Sequence, residues 1–150
     1  MGGGRRIDCA ANIGRLPADV FDFVTTPGHW PRWHPSSIKV TGKTDHSLDV
    51  GDECTEEYVV AGRHGVCVWK VLERDAPRTW KITASPQGEG SATITYTLSQ
   101  AGDGTRFLRS MTYTMPNWFF GLLDSLLLRK RIQAESDEAV SRLKAVLEQR

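Results

Sequence analysis

Six stretches rich in β-branched and aromatic residues follow one another through the middle of this chain: Ile38–Thr41, Glu53–Val60, Arg63–Arg74, Thr79–Ala84, Ser91–Ser99 and Thr105–Thr114. Such runs favour extended backbone, because branched and aromatic side chains pack well on a pleated surface. The breaks are turn chemistry: Val50-Gly51-Asp52, Ala61-Gly62, Ala76-Pro77, Pro86-Gln87-Gly88 and Ala101-Gly102-Asp103-Gly104. They are too short for the crossovers of about a dozen residues that parallel pairing needs, so the spacing predicts an antiparallel meander. Arg6 to Ile13 alternates, with Ile7, Cys9, Ala11 and Ile13 sharing one side, and adds a seventh strand at the front.

Two short helical pieces are expected after that first strand. Leu16-Pro17-Ala18-Asp19 starts a helix with proline in its first turn, Val20, Phe21 and Val24 recur at helical spacing, and Pro27-Gly28 ends it. His29-Trp30-Pro31-Arg32-Trp33-His34 then reads as one helical turn bracketed by prolines. From Asn117 to Glu148 there is no proline, and Leu122, Leu126, Leu128, Ile132, Ala139, Leu143 and Val146 or Leu147 form a stripe, which predicts one long C-terminal helix. The fold class is therefore α+β: a seven-stranded antiparallel sheet with one face to cover and one long helix to cover it, so the sheet must curve around that helix. At 150 residues this is one domain, with residues 1–5 expected to be flexible. A concave sheet facing a single helix leaves a space, and such spaces are where small ligands bind.

Composition narrows the chemistry. A net charge of +1 leaves no electrostatic footprint for nucleic acid, and Arg129-Lys130-Arg131 reads as a solvated helix face. Cys9, Cys54 and Cys67 are odd in number and form no Cys-x-x-Cys pair, which points to reduced thiols and a cytoplasmic setting. The N-terminal residues lack the apolar stretch of a secretory signal, and Trp118 to Leu128 is too short to span a membrane. His29 and His34 lie five apart on a proline-interrupted turn and no acidic or cysteine cluster completes a set, so no metal and no other cofactor is expected. Nucleophile-elbow, P-loop and dinucleotide motifs are absent from the sequence.

Several segments in their order resemble the START-like (SRPBCC) superfamily, nearest its polyketide cyclase/dehydrase and lipid-transport branch. They are Leu16 to Val24, Trp30-Pro31-Arg32-Trp33 with His34-Pro35, Val50-Gly51-Asp52, Trp69 to Arg78, and Gly104-Thr105-Arg106-Phe107. The resemblance implies a helix-grip fold with an internal hydrophobic cavity. It carries no universal catalytic motif, so it supplies a pocket and no particular reaction.

Alternation then nominates the lining. In the fourth strand Trp69 shares the inward side with Cys67 and Val71, opposite Lys70. In the last strand the bulkier set, Thr105, Phe107, Arg109, Met111 and Tyr113, is placed inside. That choice buries a guanidinium, which is costly unless compensated. Glu56, inward with Cys54, Tyr58 and Val60, is available to offset it as a polar anchor for a ligand; the alternatives are that both strands sit at a wet cavity mouth or that they take the opposite phase. Trp33, Trp80 and Tyr96 complete the candidate wall with Phe119 of the long helix. Trp30, Trp33 and His34 are read either as a packed plug or, for His34, as a general base. Trp118, Phe119 and Phe120 are adjacent and cannot all face inward, so this surplus is either a homodimer or packing contact, or a ligand gate that touches membranes transiently. Three functions follow from these readings: binding of a hydrophobic or aromatic small molecule, lipid-like or polyketide-like; a polyketide cyclase or dehydratase using a pocket Tyr, His or Glu; and a lipid or quinone carrier docking through Trp118–Leu123.

Overall fold

The computed structural model describes residues 5–60, 62–84, 91–114 and 125–149. Seven strands form one antiparallel sheet: β1 (Arg5–Ile13), β2 (Ser37–Gly42), β3 (Glu53–Val60), β4 (Arg63–Asp75), β5 (Thr79–Ala84), β6 (Ser91–Ala101) and β7 (Gly104–Thr114). Their order across the sheet is β1-β7-β6-β5-β4-β3-β2, so the meander runs unbroken from β2 to β7 and β1 closes against β7. Several strand ends run one or two residues beyond the expected bounds, where turn residues still pair with a neighbour.

Two irregularities bend the sheet. The β2–β3 register shifts between Ser37 and Lys39, and the β4–β5 register shifts between Val71 and Glu73. An extra residue on one strand locally raises twist and curvature, which lets a flat ladder wrap a rod. In the β6–β7 hairpin, Ala101 pairs with Gly104 across a two-residue loop whose first residue, Gly102, adopts φ +58°, a conformation glycine reaches without a Cβ penalty. Gly104 passes so close to the Ile13 carbonyl that a Cβ there would collide with it.

Between β1 and β2 lie α1 (Pro17–Val24), a single 3-10 turn (Pro27–His29) and α2 (Trp30–Trp33). Pro17 occupies the first turn of α1, where its missing N–H costs nothing, and Val20, Phe21, Phe23 and Val24 are buried. The C-terminal helix, α3, is described over Ser125–Glu148. The part of it expected over Asn117–Asp124 lies outside the described residues, as do Leu122 and Trp118–Phe120. Leu128, Ile132, Ala139, Leu143 and Leu147 form its buried stripe, whereas Leu126 is 56% exposed. Two positions before Leu128 is about 200° around a helix, so Leu126 points away from the sheet.

The last turns of α3 are tied down by polar contacts to the β1–α1 connection. Arg15 Nη1 donates to the Leu147 carbonyl (3.0 Å), Lys144 Nζ to the Asn12 carbonyl (2.7 Å), and the Gly14 N–H to Glu148 Oε2 (2.8 Å). The main core joins this half of α3 to α1, α2 and the inner faces of β4–β7. A smaller cluster of Ile7, Tyr113, Leu128 and Ile132 packs the other half. Among the described residues no helix is long and apolar enough to cross a membrane.

Candidate functional site

Between the two clusters the curved sheet and α3 do not meet, and a cavity of about 280 Å³ remains. Two features of the sequence create it. Ala84 and Ala92 pair across β5 and β6 on the inner face, so two short side chains stand where large ones would reach the helix. On α3 the apolar stripe is interrupted by Ser136, one turn after Ile132, 2% exposed and lining the cavity. Neither was singled out from the sequence; a small pair on adjacent strands and a polar residue inside a helical stripe are the signals that reveal them.

On the strands, Glu56 and Tyr58 of β3, Trp69 of β4, and Arg109, Met111 and Tyr113 of β7 all line the cavity. Trp33 and Tyr96 do so as well. Trp80 does not: it is fully buried in the main core, with its indole N–H donated to the Leu48 carbonyl at 3.0 Å and its ring stacked on Tyr96 at 5.4 Å. It lies on the inward side of β5, but Leu48 and α2 fill the space in front of it. Phe119 lies outside the described residues.

The expected pairing of Arg109 with Glu56 is not formed. Glu56 accepts the Trp69 indole N–H at 2.9 Å, and no carboxylate among the described residues comes within 4 Å of the Arg109 guanidinium. Arg109 is 4% exposed; its Nη1 lies 3.4 Å from Ser136 Oγ and its Nε is buried without an acceptor. Burial pushes the Glu56 carboxyl above its ordinary range, against the pull of the Ser37 hydroxyl, the Trp69 indole and the Arg109 charge. Burial likewise raises the Tyr96 phenol, opposed by the Arg109 guanidinium beside it.

His34 lines the same wall. Its Nδ1 accepts the Ser36 backbone N–H at 3.2 Å and lies 2.8 Å from Ser36 Oγ, while its Nε2 is buried without a partner. Burial first, then the charges of Arg109 and Arg142, hold the ring well below the ordinary imidazole value. The ring is therefore neutral near pH 7, and because Nδ1 is the acceptor, the proton sits on Nε2. A group in that state offers a donor to the cavity and is poorly suited to take a proton, which argues against the general-base reading.

Burial raises all three thiols above their ordinary range. All three cysteines are free and buried, and burial pushes Cys54 up to about 12 and raises Cys67 as well, so both remain protonated. Among the described residues no group of three His, Cys, Asp or Glu is arranged to hold a metal.

Tyr58 lies over its cross-strand neighbour, which has no side chain to displace it. It pairs with Gly65, and a Cβ on Gly65 would collide with the hydroxyl end of the Tyr58 ring. Gly65→Ala is expected to swing this ring aside while leaving the strands paired. The melting temperature should change by less than about 2 °C, and affinity for an aromatic probe should fall about 3–10-fold. Calorimetric titration alongside thermal denaturation separates the two effects, and unchanged affinity would remove Tyr58 from the binding wall.

Comparison with known proteins places this geometry. The family described as polyketide cyclase / dehydrase and lipid transport matches residues 7–148. Protein TTHA0849 from Thermus thermophilus superposes with a TM-score of 0.78 at 14% identity, covering 97% of this chain and 98% of that one. A START superfamily protein from Mycobacterium smegmatis gives 0.77 at 10% identity, covering 98% and 99%. The di-domain ARO/CYC StfQ of the steffimycin biosynthetic pathway gives 0.73 at 12% identity, covering 96% of this chain and 51% of that chain. At these identities the likeness is one of fold. No curated protein matches the sequence significantly.

Proposed function

The chain belongs to the polyketide cyclase / dehydrase and lipid transport family, and from that premise we propose that it binds a hydrophobic or aromatic small molecule in the cavity between the sheet and the C-terminal helix. The observation that carries this reading is an aromatic-walled cavity of about 280 Å³ between the sheet and the C-terminal helix, partly open to solvent. Void space forfeits dispersion contacts, and filling it with an apolar guest recovers them and removes apolar surface from water. Size favours a compact guest. A cavity of roughly 150 Å³ admits benzene, and drug-sized ligands take about 300–1,000 Å³, so a two-ring aromatic suits this volume better than a long-chain lipid.

The test uses the purified protein directly. Mass spectrometry of a denatured sample should release an apolar or aromatic species near one per chain. Two-ring aromatics should quench the fluorescence of Trp30, Trp33 and Trp69, which line the cavity. No released species, together with no probe binding tighter than about 1 mM, would sink the reading.

A catalytic reading, cyclisation or dehydration of a polyketide-like substrate, has one observation in its favour. Glu56 presents a carboxyl raised by burial to the same space, and a carboxyl shifted upward is better matched to holding and giving up a proton than an ordinary one. On that reading Glu56→Gln, which keeps an acceptor for the Trp69 indole, lowers conversion of the released ligand's precursor at least about 10²-fold with affinity nearly unchanged. Equal turnover in both proteins would exclude Glu56 as the acid or base.

A further inference from the structure

The polar atoms of the cavity wall are unbalanced in one direction. Arg109 brings a full positive charge to a position 4% exposed, where its polar neighbours are the neutral Ser136 hydroxyl at 3.4 Å and the Tyr96 phenol, and where its Nε is unsatisfied. Three further lining residues hold buried polar atoms with no partner: Trp33 at Nε1 and His34 at Nε2, which can only donate, and the Tyr113 hydroxyl, which can donate or accept. The tautomer of His34 follows from geometry, because the Ser36 N–H is donated to Nδ1. Among the described residues two carboxylates line this wall, Glu56 and Glu135; Glu56 is engaged by the Trp69 indole, and neither forms an ion pair with Arg109 within 4 Å. Buried donors and charges are normally paired, so an uncompensated cation beside idle N–H groups marks where a ligand's acceptor belongs.

We propose that the ligand is an aromatic oxyanion, a carboxylate or an ionised phenol or enol on a one- or two-ring body, with its negatively charged oxygen seated on the Arg109 guanidinium. The inference rests on the binding reading above and deepens it. The guanidinium supplies a planar fork of donors that matches such a group, and the pair is strengthened by its exclusion from water. Trp33, Trp69 and Tyr96 supply flat apolar walls for the rings.

The test compares 2-naphthoate with its neutral isostere 2-naphthamide by calorimetric titration at pH 7. The native protein should bind the naphthoate at least about tenfold more tightly than the amide. In Arg109→Met that ratio should collapse to about one or below, while Arg109→Lys, which keeps the charge and loses the fork, should retain part of it. Melting curves of both variants establish that they are folded, and the lysine variant carries the test if the methionine variant is not. Equal affinity of the native protein for both probes would overturn the oxyanion assignment and leave cavity binding standing. Binding of neither probe would overturn the binding reading, and this inference with it.

Discussion

Trp80→Ala is expected to cost about 3–5 kcal/mol of stability, the range for deleting a fully buried large aromatic. Trp80 has no exposed surface, stacks on Tyr96 at 5.4 Å, meets the edge of Trp30 at 6.4 Å and satisfies the Leu48 carbonyl through its indole N–H. The substitution removes the packing and leaves that carbonyl buried without a donor. In a domain of this size each kcal/mol corresponds to about 2–4 °C, so the melting temperature should fall by roughly 10 °C or more. Trp80→Phe isolates the hydrogen bond: much of the ring stacking survives, and the remaining loss should include about 1–3 kcal/mol for the orphaned acceptor. Denaturant titration of the two variants checks both numbers. A loss below about 1 kcal/mol for the alanine variant would mean that the side chain is not packed as described.

Arg109→Met is expected to act in the opposite direction, raising the stability of the empty protein by at least about 1 kcal/mol. Withdrawing a guanidinium from water costs several kcal/mol, and here the return is a long hydrogen bond to Ser136, the neutral phenol of Tyr96 and no ion pair within 4 Å. Methionine is close in length and flexible enough to fill the vacated path. The gain in melting temperature should be about 2–4 °C or more, read without ligand and at low ionic strength. A loss of about 3–5 kcal/mol would be the signature of a broken buried pair and would mean that Arg109 does find a carboxylate, Glu56 being the one whose ionisation it already assists. A stabilising variant that also loses selectivity for an anionic guest is the pattern of a residue kept for function at a cost in stability.

Much of the fold was legible because its signals are local. Alternation in Arg6–Ile13, Arg63–Arg74 and Thr105–Thr114 reports which side of each strand is buried, since successive side chains point to opposite faces whatever the strand pairs with. Short turns such as Ala101-Gly102-Asp103-Gly104 allow only antiparallel neighbours, and the proline-free C-terminal stretch with its apolar stripe reads as a helix. Even the burial of Arg109 followed from phase, because the alternative would have put Phe107, Met111 and Tyr113 in water. Leu126 was misplaced because an apolar residue in an apolar run carries no facing of its own.

The site was only half legible for a related reason. Facing says which residues look inward; it does not say which of them meet another side chain and which meet space. Trp80 and Trp69 are both inward tryptophans, yet Leu48 and α2 cover one while Ala84, Ala92 and Ser136 leave the other beside a void. Likewise Glu56 and Arg109 are on the same concave face of the sheet, and the distance between them depends on the curvature set by two register shifts, neither of them at these residues. The chain alone determined a meander and a covering helix and offered two phases for each strand, because those are properties of neighbours along the backbone. The tertiary structure alone decided where packing stops and which buried donors go unanswered, because a cavity is a relation among residues from different elements, and no local period encodes it.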